Sequence, residues 1–182
     1  MRVLRRIFWG LLLLLGVMAG AAFLLPKDLA VERLTVINAP PEKVFPYLND
    51  FRKFNEWSPW VKRDPNIKHE FSGPQSGVGA KMAWKSDKPD VGEGTSTITG
   101  SEEPSLVFGE SEFAGLKATT KLELSPIDGG TTVGWSFETD LGNNPLARWF
   151  GLIFAKLIAA DYDEGLERLK LLMETGSPEA KT

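Results

Sequence analysis

A single long helix near the end of the chain, predicted from Asn144 to about Glu174, restricts the fold more than any other feature. Pro145 falls in the first turn, where a missing N–H costs nothing, and Asn143 or Asn144 can cap. Ile158, Tyr162, Leu166, Leu169 and Met173 recur on one face at spacings of four and three. Lys156, Asp163, Glu167, Lys170 and Glu174 mark a different, charged stripe. At 1.5 Å per residue the rod is roughly 45 Å long, enough to cross a small domain. Its first half, from Trp149 to Ala160, is apolar on nearly every side, with Lys156 its only charge. Such a segment must be wrapped by protein, or face a ligand or a membrane.

The preceding residues supply the wrapping. The segment 31–38 alternates as a strand, with Val31, Arg33, Thr35 and Ile37 on one face. Ala39-Pro40-Pro41-Glu42 breaks it and starts a short helix bearing Val44, Phe45, Tyr47 and Leu48, shortened or kinked by Pro46. A second short helix is predicted over 51–56, ended by Trp57-Ser58-Pro59-Trp60. Six further strands follow, over 67–71, 80–85, 92–101, 105–113, 118–125 and 131–139. They are separated by Gly73-Pro74, Asp87 to Asp90, Glu103-Pro104, Gly115 and Asp128-Gly129-Gly130, all turn chemistry. Curling this antiparallel sheet around the long helix buries both.

The chain opens with Arg2, Arg5 and Arg6, then an uncharged apolar run from Ile7 to Leu25, long enough to cross a hydrocarbon core of about 30 Å. A cleaved signal peptide is the rival reading, with Ala19-Gly20-Ala21 as the cleavage site and secretion as the outcome. The run continues through Phe23, Leu24 and Leu25 past that site, which favours a retained anchor. The positive-inside tendency keeps the arginines cytoplasmic and puts Lys27 onward on the far side, in the periplasm or outside the cell. Gly16 and Gly20 give a GxxxG spacing through which two anchors could pair. The expected division is an anchor over 1–26, one domain over 27–175, and a polar tail over 176–182, with 26–30 as a short linker.

Several chemistries are excluded by composition. There is no cysteine, so disulfides, thiol catalysis and thiolate metal sites are out, and one histidine, His69, cannot make a His-based metal site or triad. No cofactor or metal is expected. Net charge is −3, and −6 without the three leading arginines, which makes nucleic acid a poor partner.

The order of elements, with Ala39-Pro40-Pro41-Glu42-Lys43-Val44-Phe45 after the first strand, resembles the SRPBCC superfamily of START-like, Bet v 1-like and polyketide cyclase/dehydrase-like proteins. Val36-Ile37-Asn38-Ala39-Pro40, Phe54-x-x-Trp57-Ser58-Pro59-Trp60, Val91-Gly92-Glu93-Gly94 and Gly165-Leu166-x-x-Leu169-Lys170 look like its bacterial polyketide-cyclase-like branch. The resemblance covers Leu29 to Glu174, and an anchor is common among such relatives. It implies an α+β helix-grip fold: a curved antiparallel sheet of about seven strands around the C-terminal helix, two short helices after strand 1, and a separate transmembrane helix. It also implies a cavity between sheet and helix, without fixing one activity.

Candidate ligand-binding residues are Trp84, Glu93, Phe108, Trp135, Phe137, Phe154, Ile158 and Tyr162. The aromatics would line a pocket for a lipid or another hydrophobic small molecule; the plain alternative is an ordinary packed core. Glu93 lies between two glycines and, if inward, could orient a hydroxyl or act as a base; otherwise it is a solvated strand residue. Tyr162 could offer its O–H inside the cavity, while Asp161 marks the helix's return to solvent. Glu164 and Arg168 read as an i,i+4 pair and His69 as a surface residue. Trp57 and Trp60 are candidate membrane contacts, since Trp favours the headgroup zone, or else plugs beneath the short helices. The leading function is anchored binding of a lipid or other hydrophobic molecule. The alternatives are a cyclase or dehydrase using Glu93 or Tyr162 as acid/base, and an interaction or stress module without ligand.

Overall fold

The apolar run near the start forms α1 (Arg2–Ala22), and the strand after it begins earlier than the alternation suggests, as β1 (Asp28–Ile37). This is seen in a computed structural model that describes residues 2–179, so the tail expected over 176–182 lies partly outside the described residues. Three short helices follow: α2 (Pro41–Asn49), α3 (Phe51–Trp57) and α4 (Pro59–Arg63). The third was not expected. Pro59 ends one helix by denying it a donor, yet occupies the first turn of the next, where no donor is needed.

These helices carry the chain to the far edge of the sheet. From there β2 (Lys68–Ser72), β3 (Lys81–Lys85), β4 (Glu93–Glu102), β5 (Leu106–Phe113), β6 (Leu116–Ile127) and β7 (Gly130–Asp140) meander back. Every pairing is antiparallel, and β7 docks on β1, giving the order β1-β7-β6-β5-β4-β3-β2. A register shift between Ile98 and Gly100 puts a bulge in β4, which bends the sheet locally. Alternation along β7 then sends Val133, Trp135 and Phe137 to the inner face.

Across that face runs α5 (Pro145–Thr175). Asn144 caps its start by accepting from the Leu146 N–H at 3.0 Å, and Gly176, at φ 75°, ends it in a left-handed turn. Ile158, Tyr162, Leu166 and Leu169 are buried against the sheet and short helices. Gly165 marks the tightest crossing: a Cβ there would lie 2.8 Å from the Trp135 ring and 3.3 Å from that of Trp57. One sheet gripping one helix, with short helices closing an end, is the helix-grip fold.

Sequence-adjacent charges do not pair as expected. Arg168 is buried and donates to the Trp57 carbonyl at 3.0 Å, while Glu164 accepts from Lys62 at 2.9 Å. At the other end, the segment after α1 is tied to the domain by a buried arginine. Arg148 donates to the carbonyls of Gly142 (3.0 Å), Leu25 (3.3 Å) and Phe23 (3.5 Å), and the Trp149 indole donates to Met18 O at 3.1 Å.

Candidate ligand cavity

Between α5 and the inner face of the sheet lies a cavity of about 760 Å³. Its position follows from strand parity. Inward residues of β3 to β7 form one wall, including Trp84, Ile98, Val107, Leu122, Trp135 and Phe137. α5 supplies the facing wall with Phe154, Leu157, Ile158 and Tyr162, and the short helices add Leu48, Phe51, Phe54 and Trp60. The volume is well inside the range of small-molecule sites, about 300 to 1,000 Å³.

The inner end is an aromatic cluster. Tyr162 stacks on Trp135 with ring centres 3.7 Å apart, and Trp135 meets Trp57 and Phe54 edge-on at 5.2 and 5.8 Å. Nearer α5's first half, Phe113, Phe137 and Phe154 sit about 6 Å from one another. Polar groups are few and uncharged. The Ser96 and Ser111 hydroxyls share a hydrogen bond of 2.6 Å, and Tyr162 and Thr120 line the same space. The Trp135 indole N–H is buried and has no acceptor among the described residues. Burial pushes the Tyr162 phenol well above its usual value, so it remains a neutral donor.

Charges gather at the mouth instead. Asp161 of α5 is gripped by α4: the Arg63 guanidinium pairs with it, and Trp60 Nε1 donates to it at 3.1 Å. Glu164 lies 3.7 Å from the same Arg63, and the bond from Lys62 is the main cause of its lowered carboxyl pKa. His69 also faces the cavity, and burial lowers its imidazole, favouring the neutral form. The rim thus holds three carboxylates, Asp90, Glu93 and Asp161; Asp161 engages the one guanidinium, Arg63, and Glu93 pairs with Lys85.

Most of the sequence-derived candidates are brought together here: Trp84, Trp135, Phe137, Phe154, Ile158 and Tyr162 all line the cavity. Glu93 reaches only its rim, 69% exposed and bonded to Lys85 at 2.9 Å. The glycine after it serves a neighbour rather than a ligand, since a Cβ at Gly94 would lie 2.5 Å from the Trp84 ring.

Phe108 is a correction. It points to the outer face, 40% exposed, because its neighbour Val107 takes the inward position opposite Leu122. Trp57 is a second: fully buried, its indole donating to Tyr47 O at 3.0 Å, it cannot touch a membrane. Trp60 is half-buried with its N–H on Asp161, so it belongs to the cavity mouth. Sequence reasoning missed Arg63, took His69 for a surface residue, and read Asp161 as a return to solvent. Their partners lie about a hundred residues away for Arg63 and Asp161, and no local periodicity records such a meeting.

A second hollow, about 740 Å³, lies on the outer face of the sheet among Thr95, Thr97, Thr119, Glu110, Glu112 and Glu138. It is a solvated sheet surface rather than an apolar site.

Solved structures of the same fold include three of low sequence identity. One is the Aha1 dimer of Colwellia psychrerythraea, 16% identical with TM-score 0.58, covering 81% of this chain and 97% of that one. Protein CV1439 of Chromobacterium violaceum is 16% identical with TM-score 0.59, covering 80% and 98%. Protein Ms6760 of Mycobacterium smegmatis is 16% identical with TM-score 0.58, covering 81% and 91%. Among curated proteins, none matches significantly. The profile described as "Polyketide cyclase / dehydrase and lipid transport" matches residues 28–174, from the start of β1 to the end of α5, and the chain belongs to that family.

Proposed function

We propose that this protein is a membrane-anchored binder of an uncharged hydrophobic molecule, a lipid or a compound of similar character, held between α5 and the sheet. The observation that carries the reading is the cavity itself: about 760 Å³, walled by aromatic and aliphatic side chains. A carrier or sensor role suits such a site better than acid/base chemistry. General acids and bases work best with pKa values near the working pH, and the Tyr162 phenol is pushed far above it. Glu93 sits outside in an exposed ion pair. The rim's carboxylates, and the lack of a free cation among the described residues that line the cavity, argue for a neutral ligand over a fatty-acid anion. The hydroxyls of Tyr162 and Thr120 suit an ester, ketone or alcohol oxygen.

The anchor is α1, with Arg2, Arg5 and Arg6 on the cytoplasmic side and the domain across the inner membrane of a bacterium. The family's description, which names lipid transport, supports a hydrophobic ligand.

Ser111→Phe tests the cavity by filling it from a position half-buried on its wall. In detergent at fixed concentration, the full chain is heated with methyl laurate, laurate or dodecane. Ligand at about a hundredfold over Kd stabilises by roughly 2.7 kcal/mol, a rise of about 5 to 10 °C for a domain of this size. That rise is expected with methyl laurate, less with laurate, and not in Ser111→Phe. An equal response of variant and wild type to every compound contradicts cavity binding.

A further inference from the structure

The first half of α5 shows water a surface that water does not suit. Leu146, Phe150, Ile153 and Leu157 recur along one face and are 68%, 67%, 61% and 58% exposed. A contiguous apolar patch of this kind marks a contact site, unlike scattered single residues. Spanning twelve residues of helix, the stripe is about 16 Å long.

Its two ends have different neighbours. At one end α5 packs against α1, through Trp149 on Met18 O and Arg148 on the carbonyls of Phe23 and Leu25. At the other end Leu157 itself lines the mouth of the cavity, one turn from Phe154. Across the mouth, the β5–β6 hairpin tip presents Ala114 and Gly115, both exposed; the β3–β4 loop, with Asp90 between Pro89 and Val91, belongs to the charged side of the mouth beside Arg63. Polar side chains resume beyond it, where Asp163 and Glu167 are exposed.

From this arrangement we infer that the Leu146–Leu157 stripe and the Ala114-Gly115 tip rest in the membrane leaflet nearest the domain, so that the cavity opens onto hydrocarbon. Ligand then passes between leaflet and cavity without crossing water. The inference rests on the cavity reading above and adds the route. A bilayer suits the stripe better than a second copy of the chain. The surface of α1 is apolar and exposed from Ile7 through Leu15, and it needs a hydrocarbon setting of its own. The Arg148 contacts tie the end of that helix to the start of the stripe, so a bilayer around α1 brings the stripe to its surface. Lys156, on the flank, can bury its stem and keep its ammonium at the headgroups.

The absence of cysteine allows clean labelling. Ile153→Cys and, as a distant control, Ile127→Cys at the β6–β7 turn each carry a bimane dye. The full chain is placed in phosphatidylcholine nanodiscs, some with spin-labelled acyl chains. Dye at position 153 is expected to be quenched by the labelled lipid and shielded from aqueous iodide, and dye at 127 to behave oppositely. Iodide quenching at 153 equal to that at 127 overturns the inference. Shielding from both quenchers that fades on dilution overturns it in favour of a second copy.

A kinetic arm uses Phe150→Glu with Ile153→Glu, neither of which lines the cavity. Uptake of a pyrene-labelled methyl ester from vesicles should slow about tenfold. Its equilibrium affinity and the melting temperature should stay unchanged. Unchanged uptake overturns the route while leaving the cavity reading intact. An ester that binds neither protein overturns both.

Discussion

Tyr162 shows how a single side chain can be polar and still belong to an apolar wall. Its ring lies buried on Trp135, and that burial disfavours the charged phenolate, so the phenol proton is costly to lose. The folded state keeps that proton where the unfolded state releases it. Stability from this residue is therefore intact below about pH 10 and lost as pH rises past it. Phenolate absorbance from Tyr162 should be missing until the protein unfolds in alkali, and Tyr162→Phe should delete that late step. Phe108 and Phe137 make a second contrast. Phe137→Ala should cost about 3 to 5 kcal/mol and weaken ligand binding, because it opens the core. Phe108→Ala should leave affinity within about twofold, since the ring faces out; equilibrium unfolding and ester titration of both variants check this. Alternation alone tells which residues share a face, which is why Val133, Trp135 and Phe137 were legible as a set. Which face is inner depends on the partner strand, here Val107 opposite Leu122, and that is where Phe108 was misread.

At the scale of elements, the mouth of the cavity is held by α4 against α5. Asp161 accepts from both Arg63 and Trp60, and Asp64, at the end of α4, accepts from Ser86 Oγ and the Asn66 N–H. The Ser86 bond is the main cause that lowers the Asp64 carboxyl, as Lys62 is for Glu164. Lowered carboxylates stabilise the fold fully above their ordinary values of about 4, and the benefit fades as pH falls through the lower folded values. Acid titration should therefore loosen α4 first, and Asp64→Asn should make stability less dependent on pH below about 4. Amide exchange over 59–63 against the β6–β7 core reads the difference. Gly165 sets the distance between α5 and the short helices. Gly165→Val should drive a methyl into Trp135 and lower stability by about 1 to 3 kcal/mol, seen as a fall in melting temperature. The long helix and its start were plain in the sequence because Asn144 and Pro145 are local signals; Gly176, read only as the start of a tail, is its left-handed cap. The existence of α4 was not, because Pro59 reads equally well as a stop or a start.

The whole molecule joins a helix fit to cross a bilayer, a sheet that grips a second helix, and a cavity whose mouth borders that second helix's exposed apolar stripe. Element order in the sequence was enough to read the meander, since successive strands pair with their neighbours; the docking of β1 on β7 is seen only in the structure. It was not enough to read the junction. Arg148 and Trp149 touch residues more than a hundred positions earlier, and the membrane contact expected at Trp57 and Trp60 has its better candidate in Leu146 through Leu157. The central claim is that the cavity holds a neutral hydrophobic molecule, and native mass spectrometry of the full chain released from mild detergent, followed by organic extraction, tests it most directly. The account predicts a near-stoichiometric mass adduct that extracts as an uncharged, oxygen-bearing apolar compound and is missing from Ser111→Phe. A wild-type protein that carries no adduct, and whose melting temperature no compound in a lipid and metabolite panel raises, would contradict it.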